Sequence, residues 1–305
     1  MRSFQLELAG RRIDYSGTEH SKVFVLLGHP VAHSLSPRFQ TAAVAAMGLD
    51  AVYLAADILP ERLPQAMQDL RAGVVAARIV GVNVTLPHKR TTMQYLDAVD
   101  DTARLAGAVN TLVCTAQPGA AVLRGHNTDV DGLATSLDEH RVRIAGAPVV
   151  ILGAGGMARS AVVVALRAGA ASVRVLARRG DAARDMLDSI AASWPGALPV
   201  LEHAELARVP PRWLDDAALL VQATSLGLEP EEPSPLSLAA APPGMFVFEA
   251  IYRPAETALL RAARGAGLRS TNGLGMLVHQ GALALRLWTG LEPPIDVMRS
   301  SVGLD

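Results

Sequence analysis

Short apolar runs alternate with longer amphipathic stretches over almost the whole chain. KVFVLLG (22 to 28) and AVYLAAD (51 to 57) are runs of the length and Val/Leu content that predict strands. PRFQTAAVAAM (37 to 47) and PERLPQAMQDLRA (60 to 72) have helical spacing, the first with proline near its first turn. In RIVGVNVTL (78 to 86), Val82, Val84 and Leu86 alternate with Asn83 and Thr85, the period of a half-buried strand. Pro87 stops that strand, because it has no amide hydrogen to donate. NTLVCTA (110 to 116) and AVLRGHN (121 to 127) read as two more strands around a turn at Pro118-Gly119, and a helix follows from about Asp129.

A second series opens at APVVILGAGG (147 to 156) and runs strand, helix, SVRVLA, helix, LPVLE, ALLVQAT, MFVFEAI. Strands separated by helices predict parallel sheets covered on both faces, and two series predict two α/β domains. The seam between them is expected near residues 127 to 130. EPEEPSPLSLAAAPPG and VPPRW read as surface loops of the second domain. At the N-terminus, FQLELAGRRIDYSG predicts a two-stranded hairpin with its turn at Ala9-Gly10, for which the sequence suggests no function.

Bulk properties narrow the function classes. The chain has 305 residues, half of them hydrophobic, and a formal net charge of -1, which leaves no electrostatic footprint for nucleic acid or an anionic membrane. No apolar stretch approaches the ~18 residues of a membrane span and no signal peptide is visible, so the expectation is a cytoplasmic protein. One cysteine, Cys114, excludes an internal disulfide and reads as a buried, inert thiol. His29, His33, His88, His126 and His279 show neither HxxxH nor HExxH spacing, so no metal site is expected. There is no G-x-S-x-G elbow.

VVILGAGGMARSAVVVAL is strand, G-x-G-x-x-A, helix. Gly153 allows the tight turn, Gly155 lets backbone approach a pyrophosphate, and Ala158 permits close helix–strand packing. The helix start offers free amides to phosphate. Ala154, Gly156 and Met157 complete the turn. At the end of the next strand, where an NAD site carries an acid for the ribose hydroxyl, this chain has Arg178 and Arg179. Guanidinium groups suit a 2′-phosphate, which favours NADP (NADPH), with NAD a weaker alternative.

GHPVAHSLSP, GVNVTLPHK, GAVNT, GHNTDVDG, GAGGMARS, ATSLGL, IYRPAETALL and GLGMLVHQGALALRLWTG occur in that order. Together they resemble the shikimate dehydrogenase family from about residue 22 onward. The resemblance implies an N-terminal α/β substrate-binding domain (1–128 plus 273–305), a C-terminal Rossmann NADP-binding domain (129–272) with the substrate in the cleft between them, and reversible NADPH-dependent reduction of 3-dehydroshikimate to shikimate. It implies Lys89 and Asp129 as the catalytic pair; a ketone reduced by hydride needs a proton donor at the forming alkoxide, and Lys89 is either that proton carrier or an electrostatic and orienting group. It implies Ser34 and Ser36 as carboxylate contacts, Thr85, Asn110 and Gln280 as ring-hydroxyl contacts, and Tyr252 near the nicotinamide and substrate. Cofactor contacts extend to Thr224, Ser225 and Gly273. A monomer or homodimer with a small-molecule substrate is expected. Departures from the family pattern are Gln40-Thr41 for His-Asn, Ala177-Arg178-Arg179 for Asn-Arg-Thr, Gln222 for Asn, and Glu249 for Asp. Two other readings remain open: a dehydrogenase of quinate, aminoshikimate or a related cyclic hydroxy acid, and a catalytically silent NADP-binding regulator.

Overall fold

The N-terminal hairpin forms as its alternation predicts. Strands β1 (Arg2–Leu8) and β2 (Arg11–Gly17) pair antiparallel with Leu8 opposite Arg11, so the turn is Ala9-Gly10. Both turn residues have positive φ, 52° and 73°, the handedness that matches strand twist in a two-residue turn. Leu6, Leu8 and Tyr15 point into the core of the first of two compact units. These observations come from a computed structural model describing residues 2–72, 78–210, 212–229 and 231–304. Residues 211 and 230, within the two proline-rich loops, lie outside that set.

The first unit contains residues up to Thr128 and those from Leu277 onward. Its six-stranded sheet has the order β4-β3-β5-β7-β8-β6, with β3 (Lys22–Gly28), β4 (Ala51–Asp57), β5 (Ile79–Val84), β6 (Ala98–Val99), β7 (Thr111–Ala116) and β8 (Ala121–His126). Strand β7 pairs antiparallel with both neighbours and the other pairings are parallel, so the sheet is mixed where the sequence predicts a parallel one. The carboxyl ends of β3, β4, β5 and β8 therefore share an edge with the start of β7. Strand β5 is also a correction. Val82, Asn83 and Val84 are all buried, because β5 lies between β3 and β7 in the middle of the sheet, and Leu86 lies beyond the strand and is exposed. Cys114 is buried in β7, and burial pushes its thiol up to about 12.

Helix α1 (Ser36–Ala46), α2 (Leu63–Arg71) and α3 (Asp101–Ala106) belong to this unit. Asp100 caps α3 by accepting from the Ala103 amide at 2.6 Å, and Gly107 ends it at φ 60°. Trp288, near the C-terminal end of the chain, stacks on Phe24 at 4.9 Å and donates to the Leu112 carbonyl at 2.8 Å.

The second unit, Asp129–Met276, holds an all-parallel sheet of order β11-β10-β9-β12-β13-β14. Its strands are β9 (Pro148–Leu152), β10 (Ser172–Ala177), β11 (Val200–Glu205), β12 (Leu219–Gln222), β13 (Phe246–Glu249) and β14 (Arg269–Thr271). Counted within the unit, this is the doubly wound order 3-2-1-4-5-6, with its switch point between β9 and β12. Its helices include α4 (Thr128–Glu139), α5 (Gly156–Arg167), α6 (Gly180–Ser193) and α7 (Ala258–Gly265). The units divide at 128/129 and 276/277, against an expected second boundary at 272/273. Helix α8 (Leu274–Thr289) carries the chain back to the first unit, and α9 (Ile295–Ser301) ends it.

Candidate active site

In the first unit the sequence-predicted substrate residues gather at the carboxyl edge of the sheet. The loop leaving β3 carries Ser34 and Ser36 into α1. Ser36 is the first residue of that helix rather than its cap; Leu35 is the cap residue and its side chain bonds nothing there. Ser34 Oγ accepts from the Ser36 amide at 3.2 Å, at the start of the helix. Ser36 is buried.

Thr85 follows β5 immediately, with its amide on the Leu27 carbonyl at 2.9 Å. Its methyl group packs on Gly28, where an added Cβ would come within 2.2 Å of it. Lys89 lies one turn further on and is partly exposed. Its carbonyl accepts from the Val109 amide at 2.8 Å, and neighbouring His88, buried, bonds the Ile58 carbonyl at 2.7 Å. The turn that carries Lys89 is thus tied to the segment leading into β7 and to the residue that follows β4.

Asn110 precedes β7 and is buried at the centre of a polar cluster. Its Nδ2 donates to Thr128 Oγ1 at 2.9 Å and to Gln280 Oε1 at 3.3 Å, and its Oδ1 accepts from the Thr128 amide at 2.7 Å. Asn110 and Gln280, 170 residues apart, are therefore brought together. Asn83 extends the cluster: it donates to Thr111 Oγ1 at 3.2 Å and accepts from Tyr53 at 2.8 Å. Burial pushes the Tyr53 phenol up, which keeps it a donor. Asn83, Thr111 and Tyr53 were not singled out from sequence. The available signal was Asn83, a polar residue in an otherwise apolar strand.

Asp129 is buried in the first turn of α4, directly after the Thr128 that Asn110 holds, and it belongs to the second unit whereas Lys89 belongs to the first. In the second unit, Gly153 turns at φ 114°, and a Cβ there would come within 2.9 Å of the Ala223 carbonyl at the end of β12. The Gly-rich turn therefore abuts the switch point. Gly155 is the cap residue of α5, without a side-chain cap bond, and a Cβ on it would meet nothing within 4 Å. Open backbone at an uncapped helix start suits a pyrophosphate. Ala154, Gly156, Met157 and Ala158 make the rest of the turn and the first helical residues. Arg178 and Arg179 are exposed at the end of β10, and Arg179 lies 3.6 Å from Asp181. These groups fit a phosphorylated dinucleotide.

Two departures from the family pattern shape this side. Gln222 accepts from the Thr224 amide at 2.9 Å and donates to the Leu226 carbonyl at 2.7 Å, folding the segment that holds Thr224 and Ser225. Glu249 receives the Ile251 amide at 3.1 Å and the Thr257 hydroxyl at 3.0 Å, anchoring both ends of the loop with Tyr252. Gly273 is required by space, since a Cβ would lie 2.2 Å from the Ala250 carbonyl. Among the described residues there is no group of three His, Cys, Asp or Glu placed to hold a metal, and no helix long and apolar enough to cross a membrane.

A shikimate dehydrogenase (NADP(+)) of Symbiobacterium thermophilum is 44% identical over 284 residues, covering 92% of this chain and 93% of that one. The chain belongs to the shikimate dehydrogenase family. The family model for the shikimate dehydrogenase substrate binding domain matches residues 26–112, and that for the shikimate 5'-dehydrogenase C-terminal domain matches 273–302. The Thermus thermophilus shikimate 5-dehydrogenase, solved with NADP(H) and shikimate, is 35% identical with a TM-score of 0.78, over 92% of this chain and 98% of that one. Quinate dehydrogenase from Corynebacterium glutamicum in complex with NAD is 28% identical with a TM-score of 0.82, over 92% and 98%. The family's α/β substrate-binding domain and Rossmann-like parallel sheet are the two units described above.

Proposed function

We propose that this chain reduces 3-dehydroshikimate to shikimate reversibly with NADPH. The observation that carries the reading is the set of neutral polar side chains at the carboxyl edge of the first sheet, joined through the Asn110–Gln280 bond and flanked by Lys89. Several neutral donors and acceptors suit a small polyhydroxylated acid. Ser34 and Ser36 hold its carboxylate, and Thr85, Asn110 and Gln280 its ring hydroxyls. NADPH bound at the Gly153–Ala158 turn supplies the hydride. Lys89 holds at Nζ the proton that the carbonyl oxygen needs as it becomes an alcohol, and recovers one from water after turnover. Asp129 supplies the carboxylate of the catalytic pair, which anchors the ammonium. Tyr252 lies near the reacting ring, and Thr224, Ser225 and Gly273 shape the nicotinamide side. Arg178 and Arg179 bind the 2′-phosphate.

The likeness to the Corynebacterium quinate dehydrogenase supports a second reading, with quinate as substrate and the same residues in the same roles. Assays of the purified protein against shikimate, quinate and aminoshikimate, each with NADP and NAD, separate the two. Shikimate with NADP should give the highest kcat/KM. Lys89→Ala should lower turnover by ~10²–10⁴-fold with an unchanged melting temperature. Retention of more than about a tenth of wild-type turnover at saturation would remove Lys89 from the proton path.

A further inference from the structure

We propose that the N-terminal hairpin positions the serine-bearing loop, with Arg11 acting through Asp57 and His29. Asp57 ends β4, at the same sheet edge as the substrate residues. Its carboxylate accepts from His29 Nδ1 at 2.6 Å, and His29 is the first residue of the loop that leads to Ser34 and Ser36. A carboxylate only accepts, so this bond fixes the ring proton on Nδ1 and the ring's orientation. Arg11 Nη1, from the hairpin, donates to the Asp57 carbonyl and lies 3.8 Å from the carboxylate. The next residue, Ile58, donates to the Gly28 carbonyl at 2.8 Å and accepts from His88, beside Lys89. One strand end thus holds the start of the serine loop and the lysine turn together, and the hairpin grips that strand end.

The hairpin turn is itself fixed in place. The Ala9 amide donates to Asp69 at 2.6 Å, and its carbonyl accepts from Arg62 at 2.8 Å, so two side chains clamp the backbone of one residue. Ala9 is a non-glycine residue at φ 52°, a conformation that persists where its surroundings impose it. Clamping of this kind sets where Arg11, two residues on, reaches. Leu6, Leu8 and Tyr15 account for the hairpin's place on the core, but they do not call for an arginine on Asp57. Arg11 is more than half exposed, so its removal leaves the core unchanged.

The inference rests on the reading of Ser34 and Ser36 as substrate contacts, and the test separates the two. In Arg11→Ala, the shikimate KM should rise about fivefold or more, while kcat, the NADP KM and the melting temperature stay near wild type. Arg11→Lys should recover part of the loss, and Arg12→Ala, on the adjacent exposed residue, should behave as wild type. Ser34→Ala is measured alongside, with shikimate binding followed by calorimetry as a readout besides turnover. If Ser34→Ala weakens shikimate and Arg11→Ala does not, the brace is overturned and the substrate reading stands. If neither weakens it, the substrate reading of the loop fails and the brace fails with it. A fall in melting temperature for Arg11→Ala without a selective change in shikimate KM would make the hairpin a structural cover and would also overturn the proposal.

Discussion

Glu249 ends β13 with its side chain wholly buried, and burial pushes its carboxyl from 4.5 to about 7, against the opposing pull of the Ile251 amide and the Thr257 hydroxyl. Between those two pH values the folded chain holds a proton that the unfolded chain releases. The stabilisation is therefore present below pH 4.5 and is lost as pH rises through about 7. The loss amounts to about 3 kcal/mol. Glu249→Gln keeps an acceptor for the Ile251 amide and sets an amide N–H beside the Thr257 hydroxyl, which can turn to accept it, without the titration. Urea unfolding should find the variant more stable than wild type by about 2–3 kcal/mol at pH 8, and no more stable at pH 4, below the unfolded value. Parallel stability profiles would show that Glu249 is ionised in the fold. Arg178 and Arg179 are exposed, and the Arg179–Asp181 pair is long and solvated, so it competes little for the guanidinium. Replacing both arginines by Gln should raise the NADP KM about tenfold or more and leave the NAD KM alone. Equal effects on the two cofactors would mean that neither arginine reads the 2′-phosphate.

Helix α8 shows how far an element's role depends on its neighbours. Its Gln280 meets Asn110, and two turns later Trp288 lies so close to β5 that a Cβ on Gly81 would come within 2.3 Å of the indole. Trp288→Ala should cost about 3–5 kcal/mol and, by loosening the same helix, should also raise the shikimate KM; thermal melting and steady-state kinetics check both. A stability loss with unchanged shikimate kinetics would separate the Trp288 seat from Gln280. The sequence predicted this region's motif but not its seat, because Gly81 and Trp288 are neighbours only once the chain has returned. Similar limits explain the other misses. Alternation in GVNVTL reads as half-buried, but β5 is central and has no solvent face. The reversal of β7 follows from long-range pairing, to which local hydrophobic period is blind. The hairpin turn at Ala9-Gly10 was legible because it is a local event.

At the scale of the molecule, the motifs marked the strand ends and turns that hold the proposed site, since Gly, Pro and polar residues at those points obey local rules. The Tyr53–Asn83–Thr111 cluster was not legible, because it joins β4, β5 and β7, which are distant in sequence. Arg11 was missed for the same reason. The chain path has one further consequence. Val278, Leu285, Trp288 and Met298 belong to the same core cluster as Phe24, Leu26 and Phe39, so the first unit is finished by the last segment of the chain. Synthesis is vectorial, and at ~5–20 residues per second a nascent chain spends seconds with the second unit's sequence complete while this face of the first sheet still lacks its cover. The domain that begins first on the ribosome is thus the one that closes last, and until it closes, Phe24 and Phe39 are within reach of whatever apolar surface the cell offers.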